Sequence, residues 1–263
     1  NIETISAAGG SDQVISVSLN DNAYEAGIRT VDLSADDDGA QINVINVNAE
    51  SGANGFTLKG GAGVDQITGG AGADIITGGA NNDVLDGDAG VDDITGGAGD
   101  DTITGGAAAD SLKGGDDNDT FTYATNALLY SNNALVDTID GGAGEDSVSI
   151  VGGMTIADGL SWNTSTGLDK IIAAGAASTV FSVSLHANAH EKGIDTVDLS
   201  ADTGQQGANV IDVSAEVGNN GFTLTGSSGP DTFTGGSGVD VINGGLEAIN
   251  DTFILESATV AFD

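Results

Sequence analysis

The chain has 263 residues, with 40 acidic against 5 basic side chains, a formal net charge of −35 and no cysteine. This charge argues against nucleic acid and anionic membrane surfaces as partners, because there is no basic patch to neutralise phosphates. The absence of cysteine excludes disulfide bonds and thiolate metal sites as sources of stability. The composition therefore favours cations that are held by oxygen ligands.

Large side chains are scarce, since aromatic residues make up 4% of the chain beside 43 glycines and 39% hydrophobic residues. A globular domain of this length carries more large side chains, whereas a disordered chain lacks the strict apolar period found here. We therefore expect an elongated β structure with a thin core. No stretch reaches the ~18 apolar residues of a transmembrane helix. The chain begins with Asn1 rather than methionine, and we expect it to be a piece of a larger protein.

Residues 1–59 are predicted to form a strand-rich β-solenoid segment. The runs ISVSL, TVDLS and INVINV alternate apolar with polar residues and are separated by clusters of Gly, Asn and Asp. This pattern is typical of short strands joined by turns. The segment at 20–27 (NDNAYEAG) is compatible with one or two helical turns that end on glycine, and 186–193 has the same pattern.

Residues 60–149 are predicted to form a roll of nonapeptide units with the pattern GGxGxDxUx, where U is apolar. Seven unbroken units fill 60–122, a degenerate unit occupies 123–131, and two more units end at 149. Position eight is apolar in all seven, from Ile67 to Phe121. Position six is always aspartate, at Asp65, Asp74, Asp83, Asp92, Asp101, Asp110 and Asp119, and again at Asp137 and Asp146.

The rest of the chain repeats this design. After a connector at 150–166, residues 167–245 align without a gap onto 1–79, with more than half of the positions identical. We expect 167–225 to be a second strand-rich segment and 226–263 to be a short second roll. Position six of that roll is held by Asp231, Asp240 and Asp251. The chain is therefore predicted to contain two copies of one repeating design.

The nonapeptide has a simple mechanical interpretation. Its glycines permit a tight turn, and positions seven to nine are long enough for a short strand with one side chain directed inward. Two units return the chain to its starting edge, which places Asp65 beneath Asp83 on one edge and Asp74 beneath Asp92 on the other. Carboxylates at the strand spacing of about 4.8 Å repel by roughly 3–4 kcal/mol at an effective dielectric of 20. Calcium, with six to eight oxygen ligands in loose geometry, is the cation that best reverses this repulsion.

These nonapeptides resemble the RTX (repeats-in-toxin) calcium-binding family, strongly over 60–122 and more loosely over 132–149 and 226–254. The resemblance implies an all-β fold, a right-handed parallel β-roll or β-solenoid, with several Ca²⁺ ions between loops two units apart. In each site the lower loop gives the carbonyls of positions two and four and its Asp, and the upper loop gives the carbonyls of positions one and three and its Asp. The metal-site residues implied are Gly61, Gly63, Asp65, Gly70, Gly72, Asp74, Gly78, Gly79, Ala80, Asn81, Asp83, Gly87, Asp88, Ala89, Gly90, Asp92, Gly96, Gly97, Ala98, Gly99, Asp101, Gly105, Ala107, Asp110, Gly114, Asp116, Asp119, Asp137, Asp146, Asp231, Asp240 and Asp251.

Some units depart from the glycine pattern, with Asp88 at position two and Asn81, Ala108 and Asp117 at position four. A carbonyl ligand tolerates a different side chain if the backbone still turns, so these sites are retained. Leu128 stands where the column needs aspartate, which removes the expected partner of Asp110 and leaves a pairing of Asp119 with Asp137 open. Asp100 lies outside position six, and we expect it to be merely solvated.

Other polar groups have alternative interpretations. Asp32, Asp36 and Glu50 recur as Asp198, Asp202 and Glu216. They are either additional calcium ligands or solvated turn residues, and the second interpretation is favoured. The histidines of HANAH (186–190) suggest zinc, but the first copy has Asn20 and Tyr24 there, which disfavours a zinc site. A ladder of position-nine threonines suggests ice binding, but Asp86 and Lys113 interrupt it.

We predict a non-enzymatic, calcium-binding structural segment, because two histidines in one short stretch and no cysteine give no Ser-His-Asp or Cys-His constellation. The resemblance implies type I secretion and a secreted, cell-surface location. The duplicated organisation favours a bacterial surface-layer (S-layer) component that folds on calcium and self-associates into an array. The alternative is a calcium-dependent accessory module of a secreted enzyme or adhesin.

Overall fold

The computed structural model describes residues 3–7, 14–20, 22–37, 39, 41–50, 52–125, 129–131, 134–151, 154–156, 162–174, 180–185, 189–203, 208–216, 221–245, 250–254 and 261–262. The first part of the chain contains β1 (Thr4–Ser6), β2 (Ser16–Asn20), β3 (Thr30–Asp32), β4 (Ile42–Ala49), β5 (Thr57–Lys59), β6 (Val64–Thr68), β7 (Ile75–Ala80), β8 (Val84–Asp86), β9 (Asp93–Ala98), β10 (Thr102–Thr104), β11 (Ser111–Asp116) and β12 (Thr120–Tyr123). The remainder contains β13 (Tyr130–Ser131), β14 (Ala134–Leu135), β15 (Thr138–Ala143), β16 (Ser147–Val151), β17 (Thr155–Ile156), β18 (Ser165–Thr166), β19 (Lys170–Ala174), β20 (Ser182–Ser184), a 3₁₀ turn (His190–Lys192), β21 (Thr196–Asp198), β22 (Asn209–Asp212), β23 (Thr223–Thr225), β24 (Asp231–Thr234), β25 (Val241–Asn243), β26 (Thr252–Ile254) and β27 (Ala261–Phe262).

The chain divides into two units, and the first comprises 1–122 with 136–146. Its strands form two parallel sheets, in the orders β1-β3-β5-β7-β9-β11-β15 and β2-β4-β6-β8-β10-β12. Successive strands of one sheet come from alternate nonapeptides, so that Ile76 pairs with Ile94 and Ile67 with Leu85. Each position-eight side chain is thus stacked on the one two units earlier. The two columns of buried position-eight residues, one from each sheet, form the thin core.

The degenerate nonapeptide at 123–131 is left out of this stack. Strand β11 pairs directly with β15, with Leu112 opposite Ile139, and residues 123–135 belong to the second unit. The next nonapeptide therefore takes the place in the sheet that the degenerate one would have occupied. This exchange decides which aspartates are neighbours.

The second unit comprises 123–135 and 147–263. Its parallel strands run in the orders β16-β19-β21-β23-β25-β27 and β17-β20-β22-β24-β26, and β13 pairs antiparallel with β14. Fully buried Trp162, Phe181 and Phe233 give this unit a bulkier core than the nonapeptide stack. Among the described residues, no helix is long and apolar enough to cross a membrane.

The predicted all-β, parallel solenoid architecture is confirmed. The helical signals also correspond to short turns, since 22–27 forms a turn and 190–192 a single 3₁₀ turn that ends at left-handed Gly193. The predicted division into 1–59, 60–149, 150–166, 167–225 and 226–263 stays a prediction.

Candidate metal sites

From residue 78 to 122, the loop of each nonapeptide turns through left-handed backbone. Gly79 and Gly97 at position two have φ of 137° and 134°. The four departures from the glycine pattern have positive φ as well: Asn81, Asp88, Ala108 and Asp117, at 70°, 68°, 103° and 72°. The backbone therefore turns in these loops despite the changed side chains. The predicted sites with these departures were retained on that condition.

The position-six aspartates form two hydrogen-bonded ladders. On one edge, Oδ1 of Asp83 accepts a hydrogen bond from the backbone N–H of Asp65 at 2.7 Å, and Asp101 and Asp119 continue the ladder at 2.7 and 2.9 Å. On the other edge, Asp92 accepts from Asp74 at 2.7 Å, and Asp110 accepts from Asp92 at 2.9 Å. One carboxylate oxygen of each of Asp83, Asp101, Asp119, Asp92 and Asp110 thus fixes its loop to the loop beneath it.

The ladders continue past the excluded nonapeptide with exchanged partners. Asp137 accepts from the N–H of Asp110 at 2.9 Å, and Asp146 accepts from Asp119 at 2.8 Å. The pairing of Asp119 with Asp137 that the sequence left open is therefore wrong. Because residues 123–131 leave the stack, every later aspartate moves to the opposite edge, and Asp110 gains the partner that Leu128 could not provide.

In the middle of the first roll the second carboxylate oxygen lacks protein donors, whereas Oδ2 of Asp65 and of Asp74 accept the N–H groups of Gly61 and Gly70. All position-six aspartates from Asp65 to Asp146 are at most 3% exposed. Within the described residues, Oδ2 of Asp83, Asp92, Asp101 and Asp110 receives no hydrogen bond. A buried, unpaired carboxylate oxygen is strongly destabilising unless a proton or a cation compensates it.

The space around these oxygens is lined by further oxygen atoms. A Cβ placed on Gly78 would lie 2.2 Å from Oδ2 of Asp83 and 2.8 Å from the carbonyl oxygen of Gly96 in the next loop. A Cβ on Gly87 would likewise lie 2.4 Å from Oδ2 of Asp92 and 2.5 Å from the carbonyl oxygen of Gly105. Only glycine at position one therefore leaves room for a lower-loop carboxylate and an upper-loop carbonyl to face the same point. Such an all-oxygen donor set fits calcium.

The electrostatics of the ladders favour a bound positive charge. Burial raises the pKa of Asp83 to about 8, with the carboxylates of Asp101 and Asp65 adding to the shift. Burial likewise raises the pKa of Asp92 and Asp119 to about 7 and that of Asp101 to about 6. The ionised column is therefore unfavourable by itself, and a divalent cation would remove the same penalty as a proton.

The second roll repeats the arrangement on a smaller scale. Oδ1 of Asp251 accepts from the N–H of Asp231 at 2.9 Å, and Oδ1 of Asp240 accepts from Phe222 at 3.0 Å. Ser227 occupies position two, and both its N–H and its hydroxyl donate to Asp231. The three aspartates predicted here thus lie on the two edges expected from the alignment with the first roll.

Four of the six recurring acids outside the nonapeptides are not solvated, which corrects the favoured interpretation. Asp36, Glu50, Asp202 and Glu216 are buried. The side-chain amides of Asn43 and Asn209 donate to Asp36 and Asp202, at 3.0 and 3.1 Å. Glu50 accepts from the backbone N–H of Ala23, and Glu216 from that of Ala189. The other two, Asp32 and Asp198, are half-buried and cap the local turns at Ser34 and Ser200.

Two smaller expectations also have outcomes. Asp100 is exposed, but it also joins a ladder of its own, because its N–H donates to Asn82 and its carboxylate accepts from Asn118. Sequence reasoning missed this ladder, because position five varies between units. Of the two histidines weighed for zinc, His186 lies outside the described residues, and His190 packs edge-on against Phe222.

Among the described residues, no group of three or more His, Cys, Asp or Glu side chains converges on a point. A cation between successive loops would be held by two carboxylates and by backbone carbonyls. Such a site does not need three acidic or histidine side chains. Fold and loops together define a parallel β-roll with carboxylate and carbonyl oxygen atoms grouped along both edges.

Comparison with known proteins agrees with this class. A family model for the RTX calcium-binding nonapeptide repeat matches four segments, at residues 59–94, 86–121, 136–149 and 217–248, which together cover less than half of the chain. Neither a curated protein nor a solved structure gave a significant match. The matched segments are RTX repeats, which are structural rather than catalytic modules, and the chain binds several Ca²⁺ ions through them.

Proposed function

We propose that this chain is a structural segment of an extracellular bacterial protein, that calcium drives the folding of its two rolls, and that the folded segment assembles into a surface array. The observation that carries the proposal is the pair of aspartate ladders, in which buried carboxylates stand above one another and Oδ2 of Asp83, Asp92, Asp101 and Asp110 has no protein donor. At submicromolar calcium the repulsion within the ladders should keep the rolls open. At millimolar calcium the binding free energy becomes folding free energy.

We further propose that one calcium site lies between each successive pair of ladder aspartates. In the first roll these pairs are 65/83, 83/101, 101/119 and 119/146 on one edge and 74/92, 92/110 and 110/137 on the other, and in the second roll the pair is 231/251. For the pair Asp65 and Asp83, the ligands would be the carbonyls of Gly61, Gly63, Gly78 and Ala80 with both carboxylates. The corresponding residues of the family's ligand pattern complete the other sites.

A calcium titration followed by circular dichroism and light scattering tests the folding claim. We expect β signal to rise cooperatively on adding calcium to chelator-treated protein and to fall again when chelator is added back. Magnesium serves as the matched control, because its rigid octahedral preference and tightly held waters suit these loops poorly. Full β signal in chelator, unchanged by calcium, would sink the proposal.

The second candidate function is an accessory module that helps a secreted enzyme or adhesin to fold. The same titration, followed by electron microscopy, separates the two functions. Ordered sheets that form on adding calcium support the array. Folded particles that stay monomeric under the same conditions favour the accessory module.

A further inference from the structure

The aspartate ladder of each roll begins with an asparagine that lies outside the nonapeptides. Asn43 in β4 stands opposite Asp65 in the register of β4 and β6, and Asn209 stands opposite Asp231 in that of β22 and β24. Oδ1 of Asn43 accepts a hydrogen bond from the N–H of Ile15 at 3.1 Å. Oδ1 of Asn209 accepts from Phe181 at 2.8 Å. Each asparagine therefore makes the backbone bond that Asp83, Asp101 and Asp119 make in the ladder.

The other half of the side chain differs from aspartate in a decisive way. In the nonapeptides, the second atom is a carboxylate oxygen that has no protein donor at Asp83 or Asp101. In the two asparagines it is an amide nitrogen, which donates to the buried carboxylates of Asp36 and Asp202. Because the amide is neutral and carries N–H groups, it binds a neighbouring carboxylate without a metal ion.

The remaining buried acids of the two strand-rich segments also use protein donors. Glu50 accepts hydrogen bonds from the N–H groups of Ala23 and Tyr24, at 2.6 and 3.3 Å, and Glu216 accepts from Ala189 at 3.0 Å. Asp36 and Asp202 are held by the asparagines. Buried carboxylates are thus satisfied internally before each roll begins, whereas Oδ2 of Asp83, Asp92, Asp101 and Asp110 within the first roll has no protein donor.

We infer that Asn43 and Asn209 are built-in, metal-free first rungs, so that each strand-rich segment folds without calcium and presents a formed edge on which its roll assembles. This inference rests on the proposed calcium-driven folding of the rolls. It adds the order of events: the asparagine rung and the strands beneath it exist in chelator, and calcium extends the stack from that rung onward.

Hydrogen exchange of the full chain, read at single amides by NMR or fragmentation mass spectrometry, tests the inference in chelator and in calcium. In chelator, the amides of Ile15 and Phe181 should be protected while those of the roll, such as Asp83 and Asp101, exchange freely. In calcium, all four should be protected. Ile15 and Phe181 amides that exchange freely in chelator, beside a roll that calcium protects, would overturn the inference and leave the proposed function intact. A roll equally protected in both conditions would instead contradict the proposed function.

Asn43→Asp tests whether the amide stands in for the metal. The variant keeps Oδ1 but replaces the donor with a carboxylate oxygen facing Asp36. In chelator, the Ile15 amide should exchange about tenfold faster or more, the change expected when a buried hydrogen-bonded rung is lost, and calcium should slow it again. Unchanged protection in chelator, or fast exchange that calcium does not slow, would each refute the equivalence of amide and metal.

The control variant is Asn46→Asp, which makes the same charge change in the same strand. The side-chain oxygen of Asn46 accepts the exposed N–H of Asn48, and aspartate preserves this contact. Protection of Ile15 in chelator should therefore match that of the unmodified chain. Asn209→Asp gives an independent repeat in the second unit, with Ile15 as the internal reference.

Discussion

Replacing Asp101 by asparagine should change the stability of the first roll in opposite directions with and without calcium. Asp101 lies in the middle of its ladder, bonded through Oδ1 to the N–H of Asp83 and through its own N–H to Asp119. Asparagine retains the Oδ1 acceptor, so the loop keeps its connection to the loop beneath. The substitution therefore isolates the charge of the second carboxylate oxygen.

Without calcium, the substitution removes repulsion from two neighbours, each worth roughly 3 kcal/mol at the strand spacing and an effective dielectric of 20. Partial protonation of a column with raised pKa values reduces this gain, so we expect about 2–3 kcal/mol of stabilisation. With calcium, the variant loses an anionic ligand in two sites. When free calcium is a hundred times the dissociation constant, one site adds about 2.7 kcal/mol to the free energy of unfolding. Loss of two sites should therefore cost about 5 kcal/mol.

The measurements are the β signal by circular dichroism in chelator, which should rise in the variant, and the free energy of unfolding from denaturant titrations in millimolar calcium, which should fall. Asp100→Asn is the matched control, because it makes the same charge change one residue away, at an exposed position. Its carbonyl oxygen can still accept the N–H of Asn118. The reasoning would be refuted if the two variants responded alike to calcium, or if Asp101→Asn destabilised the chelator-treated protein.

Four further outcomes are expected. In chelator, β signal should increase on acidification: the raised pKa values of Asp83 and Asp101 mean that stability is full below about pH 4 and is lost as pH rises through about 6 to 8, which a pH series of circular dichroism spectra checks. Gly79→Ala should cost at least about 2 kcal/mol by denaturant titration in calcium, because its Cβ would lie 2.1 Å from the carbonyl oxygen of Gly61 at a φ of 137°. Ala108→Gly, at a left-handed position, should instead stabilise by about 1 kcal/mol. Ile103→Ala, in the thin core, should cost about 2–5 kcal/mol in calcium and leave the chelator-treated spectrum unchanged.

The strict nine-residue period made the fold and the two aspartate columns predictable. A fixed spacing of aspartate and apolar residues has one simple solution, in which alternate units stack, and the register of Ile76 on Ile94 follows directly. The sequence could not indicate that 123–131 would leave the stack. A degenerate unit is equally compatible with a poor turn and with a loop, and only the pairing of β11 with β15 decides between them.

The asparagine rungs were missed for a different reason. Asn43 and Asp36 belong to a segment without a short repeat, where an acid next to Gly and Ala has the composition of a solvated turn. The burial of Asn43 depends on the β4–β6 register, which pairs a strand of the strand-rich segment with a strand of the first nonapeptide. The signal that could have found them is the recurrence of both residues at the same places in the second copy, as Asp202 and Asn209.

The excluded nonapeptide has a consequence for how such a chain can change in length. Both edges of the roll carry the same loop and the same aspartate, so removing one unit from the stack moves Asp137 and Asp146 to the opposite edges and still completes both ladders. Unequal recombination within the repeats would add or delete whole nonapeptides, odd or even in number, without leaving a carboxylate opposite the wrong partner. The repeat is therefore a unit of inheritance as well as a unit of folding.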